Sequence, residues 1–200
     1  MKPNNNVRET WAETVTHVGL EDPRLVCIVS DISHFRMQGL AKERPNQYFN
    51  LGVCENTIVN IGAGLAMVGK IPVLHTFASF LVDRSFEQLK LAFGYQSLGG
   101  NIVVIGSGIE YAFHGVTHHS YVDAALVKSI EGSKVFNPGS SWEFDKLFRE
   151  NYDSGSLNLF RATNQPHEVE LKQESFQGSR AVIERVGSDL TVVCTGYGLR

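Results

Sequence analysis

Residues 71–107, IPVLHTFASFLVDRSFEQLKLAFGYQSLGGNIVVIGS, decide the fold class of this chain. IPVLHTF (71–77) and NIVVIGS (101–107) are short apolar runs with β-branched residues, and DRSFEQLKLAFGYQSL (83–98) between them has the spacing of a helix. An apolar run of this kind is a strand buried on both faces, and a helix between two such strands is the crossover that a parallel pair requires. The alternation extends in both directions. Upstream lie a short amphipathic helix (7–18), the strand RLVCIVSDI (24–32), a polar irregular stretch (33–47), the short strand YFNLGV (48–53) and the helix ENTIVNIGAGLAMVG (55–69). Downstream, the loop GIEYAFHGVTHHS (108–120) leads into the helix YVDAALVKSIEG, the strand and turn SKVFNPGSS, the helix SWEFDKLFREN and the strand LNLFRAT (157–163). The pattern predicts an α/β fold with a doubly wound, mainly parallel sheet and helices on both faces.

That unit is expected to span residues 1–163. Residues 164–180 read as a connecting segment, and residues 181–200 read as the start of a further, incomplete domain whose first strand lies in DLTVVCTGYG. With 200 residues, 42% of them hydrophobic, the chain can bury a real core. A formal charge of −3 offers no excess of cations for a phosphate backbone, so nucleic acid is excluded as the main partner. No window approaches the ~18 apolar residues of a membrane span and the amino terminus lacks the apolar stretch of a secretion signal, so a cytoplasmic protein is expected. Cys27, Cys54 and Cys194, each in an apolar run, read as reduced core residues.

Chemistry concentrates at strand ends, where α/β folds place ligands. Glu55, in NLGVCEN, stands between a strand and an apolar helix; it is compatible with simple charge complementarity at a helix N-terminus or with a catalytic role. Phe77 and Phe80, in HTFASF, are compatible with core packing or with presenting rings to one flat ligand. HGVTHHS brings His114, His118 and His119 into six residues. Histidines there can act as acid, base or hydrogen-bond donor; a metal site is the competing reading, but the close Cys or carboxylate spacing of zinc patterns is missing. The glycines of GAGLAMVG fail the G-x-G-x-x-G spacing and suit close helix packing instead. Cys54 beside Glu55 reads as a small buried residue rather than a nucleophile.

The run YFNLGVCENTIVNIGAGLAMVGKIPVLHTFASFLVDRSFEQLKLAF, followed by HGVTHHSYVDAALVKSI, resembles the pyrimidine-binding domain of transketolases and of the related deoxyxylulose-phosphate synthases. The likeness runs from about Asp31 to Pro138. It implies that thiamine diphosphate lies between this domain and a diphosphate-binding domain, and that GVCE places the catalytic glutamate at Glu55. A carboxyl group hydrogen-bonded to N1′ of the aminopyrimidine is what prepares the cofactor to lose its thiazolium proton. By the same resemblance Phe80 stacks on the aminopyrimidine, with Phe77 beside it, and His118 of G-x-T-H faces donor hydroxyls. Arg161 of LFRAT matches an arginine that binds a sugar phosphate. Arg84 and Gln88, in FLVDRSFEQ, are assigned to the cofactor side, and the spacing of that run looks closer to separately encoded carboxyl-terminal transketolase subunits than to the synthases.

Two positions depart from the family. His114 stands where an aspartate usually precedes the glycine of G-x-T-H, and Gly106 replaces a histidine near a strand end, so the usual ketose donor is not assured. No G-D-G followed by a distant Asn, the magnesium and diphosphate motif, occurs in the chain. The expectation is therefore a transferase subunit with no metal ligand of its own, which moves a two-carbon ketol or acyl unit from a sugar or keto donor to an aldehyde. Its diphosphate-binding partner subunit would hold thiamine diphosphate and Mg2+ in a heterotetramer. A β-type subunit of a 2-oxoacid dehydrogenase or decarboxylase, and a non-catalytic scaffolding subunit, are the alternatives.

Overall fold

The computed structural model describes residues 6–165 and 182–199. Six strands form one sheet in the order β2-β1-β3-β4-β6-β5, and every neighbouring pair is parallel. They are β1 (Leu25–Val29), β2 (Tyr48–Asn50), β3 (Ile71–Phe77), β4 (Gly100–Ile105), β5 (Lys134–Phe136) and β6 (Leu157–Arg161). The helices are α1 (Val7–Glu21), α2 (Gln38–Glu43), α3 (Glu55–Met67), α4 (Phe86–Gln88), α5 (Asp123–Lys128) and α6 (Ser141–Asn151). The doubly wound parallel sheet read from the sequence is thus present.

Two-residue alternation divides the strands between two cores. Leu25, Cys27, Val29, Val103, Ile105 and Phe160 pack on one face beneath α1, α2 and α6. Val26, Ile28, Leu74, Ile102, Val104 and Leu159 pack on the other, beneath α3, α5 and the Ser79–Tyr95 segment. Gly62 lets α3 lie close to the sheet, since a Cβ there would stand 2.9 Å from Leu74 Cδ2. Gly69, at φ +79°, stops that helix in the left-handed conformation that favours glycine. Ser140 caps α6 by accepting from the Glu143 N–H, while Glu143 Oε2 accepts from the Gly139 N–H, a reciprocal arrangement that fixes the helix start.

The expected helix over 83–98 begins earlier and is wound differently. Ser79–Asp83 and Leu89–Tyr95 are π-helical, with the Arg84 N–H reaching the Ser79 carbonyl five residues back at 3.1 Å. Residues 33–47, expected to be irregular, contain α2 between two short 3-10 turns. The cysteine reading also changes: all three are free, but only Cys27 is buried, whereas Cys54 is half-buried with its Sγ donating to the Leu51 carbonyl and Cys194 is exposed. Residues 166–180 of the connecting segment, and residue 181 after it, lie outside the described residues. The strand expected in DLTVVCTGYG is not formed: residues 182–195 carry neither helix nor strand, and Leu190, Val192 and Val193 stand at least 72% exposed. A strand is held by its neighbours' hydrogen bonds, and no strand of the sheet pairs with this stretch.

Inside the α1 face, His75 is fully buried on β3. Its Nδ1 lies 2.8 Å from the Val103 carbonyl, its Nε2 3.1 Å from Ser33 Oγ, and its ring 3.9 Å from that of Trp11. Burial, with Arg8 nearby, lowers its pKa to about 3. The unfolded chain therefore binds a proton at this residue below its ordinary pKa of ~6.5 while the folded chain does not, so stability falls as pH drops from there towards 3. The expected cost between pH 7 and pH 5 is about 2 kcal/mol. Urea unfolding of the native protein and of His75→Gln at both pH values measures it, and the variant should lose less stability than the native protein by that amount.

Candidate functional site

Parallel strands end together, so the polar residues that follow β1, β2, β3, β4 and β6 meet along one rim of the sheet. Glu55 is the first residue of α3, directly beyond β2, and is only 3% exposed. A buried carboxylate needs partners, and it has two. The Ser30 hydroxyl lies 3.1 Å from Oε1 and 2.9 Å from the Gly52 carbonyl, and Arg84 Nη1 donates to Oε2 at 3.0 Å. Ser30 closes β1 in the run IVSD, a strand-end polar residue whose bond to Glu55 only the fold reveals. The loop it opens is unusual, since Asp31 and Ser33 both adopt φ +61° without being glycine.

Arg84 makes a second contact: its guanidinium carbon stands 4.4 Å from the Phe80 ring centroid. Phe80 is half-buried, and Phe77 meets it edge-on at 5.7 Å. Phe77 itself is 8% exposed and belongs to the core, so Phe80 is the ring with surface to offer. The Glu55 carboxylate and the Phe80 ring thus hold the flat guanidinium of Arg84 between them. The arrangement suits a planar heterocycle bearing a ring nitrogen and an amine. Gln88 is one step removed, its Oε1 accepting from Asn56 Nδ2 at 2.6 Å.

The histidine loop is tied at its base. Gly108 and Ser120 exchange backbone hydrogen bonds of 2.7 and 3.0 Å, Ser120 Oγ donates to Asp83, and Ser107 Oγ donates to Asp123, both at 2.6 Å. Burial holds the Asp83 carboxyl above the usual range, with Asp123 adding to the effect and the Ser120 hydrogen bond opposing it. Glu110 accepts from the Gly106 N–H, the Thr163 hydroxyl and the Asn164 N–H, which binds the loop to the end of β6. His118 is thereby placed 5.0 Å from Phe77 and 5.1 Å from Phe80 between ring centroids, and 4.7 Å from His114. His114 lies parallel to Tyr111, whose hydroxyl accepts from Arg8 and Asn164. Gly106 has φ +73°, and a Cβ there would come within 3.0 Å of Phe77 and 3.2 Å of Tyr111, so a histidine at this position would force these rings apart.

Thr117 orients His118. Its hydroxyl lies 3.0 Å from His118 Nδ1 and 3.5 Å from the His114 carbonyl. When the hydroxyl proton goes to that carbonyl, Nδ1–H donates to Thr117 and Nε2 is left as the base. Desolvation first, then His114 and His119, lower the His118 pKa, which favours the neutral ring. His119 turns aside to Tyr121, 2.6 Å from its hydroxyl, and among the described residues no group of three His, Cys, Asp or Glu side chains could hold a metal ion. Further along the rim, Arg161 donates through Nε to the buried Asp123 at 3.0 Å. It also lines a cavity of about 270 Å³ with Ser107, Glu110, Asn137, Thr163 and Thr195.

Residues 4–163 match the family described as transketolase, pyrimidine binding domain. The chain is 27% identical over 194 residues to the 6-deoxy-6-sulfo-D-fructose transketolase subunit of a Clostridium species, covering 95% of this chain and 60% of that protein. It is 28% identical over 192 residues to an apulose-4-phosphate transketolase subunit of Phocaeicola vulgatus, covering 94% and 62%. A solved structure described as a split gene transketolase, inactive beta4 tetramer, superposes with a TM-score of 0.73 at 25% identity, over 84% of this chain and 54% of that one. The chain thus spans about three-fifths of the length of these curated relatives.

The histidine geometry has a direct consequence for titration. Replacing His114 with Ala removes one of the two neighbouring charges that oppose protonation of His118, so the His118 pKa should rise while desolvation keeps it below the ordinary histidine value. Following the imidazole Hε1 resonance through a pH titration in both proteins measures the shift.

Proposed function

The chain belongs to the transketolase pyrimidine-binding domain family, and from that premise we propose that it is the pyrimidine-binding subunit of a split thiamine-diphosphate transketolase. With its partner it would transfer a two-carbon ketol or acyl unit from a sugar or keto donor to an aldehyde. The observation that carries this reading is the buried Glu55 carboxylate near the Phe80 ring, the two bridged by the planar guanidinium of Arg84. When bound, thiamine diphosphate supplies the carbon centre that stabilises negative charge during cleavage next to a carbonyl. Glu55, whose side chain is 3% exposed, would meet N1′ of the pyrimidine through its carboxyl group. Phe80 fixes the ring plane by stacking. Phe77, buried behind Phe80 and against His118, keeps both in place.

His118, through Nε2, accepts a hydroxyl proton of the donor, with His114 next to it. The cavity at Arg161 suits the far, anionic end of a sugar, an arrangement favoured by two relatives whose names carry a sulfonated and a phosphorylated sugar. We assign Mg2+ and the diphosphate to the partner subunit; residues 1–200 carry no G-D-G motif. A heterotetramer is the assembly we favour. We assign residues 1–163 to the pyrimidine-binding module and 164–180 to a linker, with 181–200 opening a third domain. Among the described residues no helix is long and apolar enough to cross a membrane, and a cytoplasmic location fits this reading.

A second reading, a 2-oxoacid donor, draws on one observation: the histidine His114 stands beside His118 where the family's carboxylate is expected. A carboxylate on the substrate is better received by imidazoles than by an aspartate. Carbon dioxide release from a 2-oxoacid, against transfer from a ketose phosphate, separates the two.

Calorimetry of thiamine diphosphate and Mg2+ with the chain alone and with its diphosphate-binding partner tests the reading, binding being expected only in the mixture. Glu55→Gln should reduce turnover by at least ~100-fold while leaving assembly intact. Near-normal turnover in that variant would remove Glu55 from the mechanism, and no binding in either sample would favour the scaffolding subunit.

A further inference from the structure

Arg84 stands where the functional reading puts the cofactor. Its guanidinium meets Glu55 at 3.0 Å and Phe80 at 4.4 Å, and these are the carboxylate and the ring that the aminopyrimidine would use. The fit follows from chemistry as well as place: a guanidinium is planar, offers N–H groups to a carboxylate in its own plane and lies well on an aromatic face. An aminopyrimidine has the same flatness and presents a ring nitrogen and an amine.

The local winding supports this placement. Phe80 and Arg84 are four residues apart across the π-helical turn Ser79–Asp83, which sets the cation on the ring side of the segment and directs it towards α3. The Arg84 backbone is anchored at both polar groups, its N–H on the Ser79 carbonyl at 3.1 Å and its own carbonyl 3.5 Å from Asn56 Nδ2. The side chain is 49% exposed, whereas Glu55 is 3% exposed. The arginine can therefore swing outward about a fixed backbone, while the carboxylate cannot follow it.

We propose that Arg84 is a displaceable stand-in for the aminopyrimidine: before cofactor entry its guanidinium fills the seat between Glu55 and Phe80, and entry exchanges one flat nitrogen-rich group for the other. This rests on the proposed thiamine site. It assigns Arg84 a part opposite to holding the bound cofactor, because its contacts with Glu55 and Phe80 are lost when the ring arrives. Glu55 Oε2, the oxygen that Arg84 meets, thus has a donor before and after entry, while Ser30 stays on Oε1.

The test uses this chain assembled with its diphosphate-binding partner. Arg84→Met keeps the length and apolar stem of the side chain but loses the charge, and thiamine diphosphate titrated calorimetrically should bind about tenfold more tightly than to the native complex. In Arg84→Ala, added methylguanidinium should compete with the cofactor and raise its apparent Kd, while the native complex is insensitive to it. Equal or weaker binding to Arg84→Met, or no competition in Arg84→Ala, would overturn the exchange. A native complex that binds no thiamine diphosphate would instead bring down the site assignment itself, and the exchange with it.

Discussion

A carboxylate taken out of water must be met by donors, and the geometry around Glu55 follows from that demand. The residue sits at the start of α3, where the helix end favours negative charge, but a helix terminus alone does not compensate a side chain that is 3% exposed. Ser30 arrives from the end of β1 and Arg84 from the segment after β3. Both can reach it only because β1, β2 and β3 are parallel neighbours whose carboxyl ends lie side by side. The sheet order β2-β1-β3 therefore decides which side chains can serve the carboxylate.

The elements legible in the chain were those whose apolar runs have one reading. IPVLHTF became β3 at the residues expected, as SWEFDKLFREN became α6, because a buried parallel strand or a well-capped amphipathic helix leaves little choice of boundary. The segment after β3 was legible as helical but not as π-helical, since apolar residues four apart satisfy either winding and tertiary packing decides between them. DLTVVCTGYG has the composition of a strand, yet composition cannot provide the hydrogen-bonding neighbour that a strand requires.

In the candidate site, Glu55, Phe80 and His118 stand in short motifs that the sequence singles out, and the fold brings Phe80 within reach of both His118 and the cation that pairs with Glu55. The partners were not readable. Ser30 lies 25 residues from Glu55 and Arg84 29 residues from it, separations at which only the sheet order specifies contact. Gly106, which read as a departure from the family, sits at positive φ with the edges of Phe77 and Tyr111 3.0 and 3.2 Å from where a Cβ would stand, a tight and strained place for a side chain.

The backbone bridge between Gly108 and Ser120 has a meaning beyond local order. It closes residues 108–120 at the neck, while Glu110 fastens the inside of the loop to the end of β6 and His118 rests on the rings of Phe77 and Phe80. Loop and sheet rim are thus riveted at several points, and a change of sequence anywhere between the rivets is felt at the Phe80 ring.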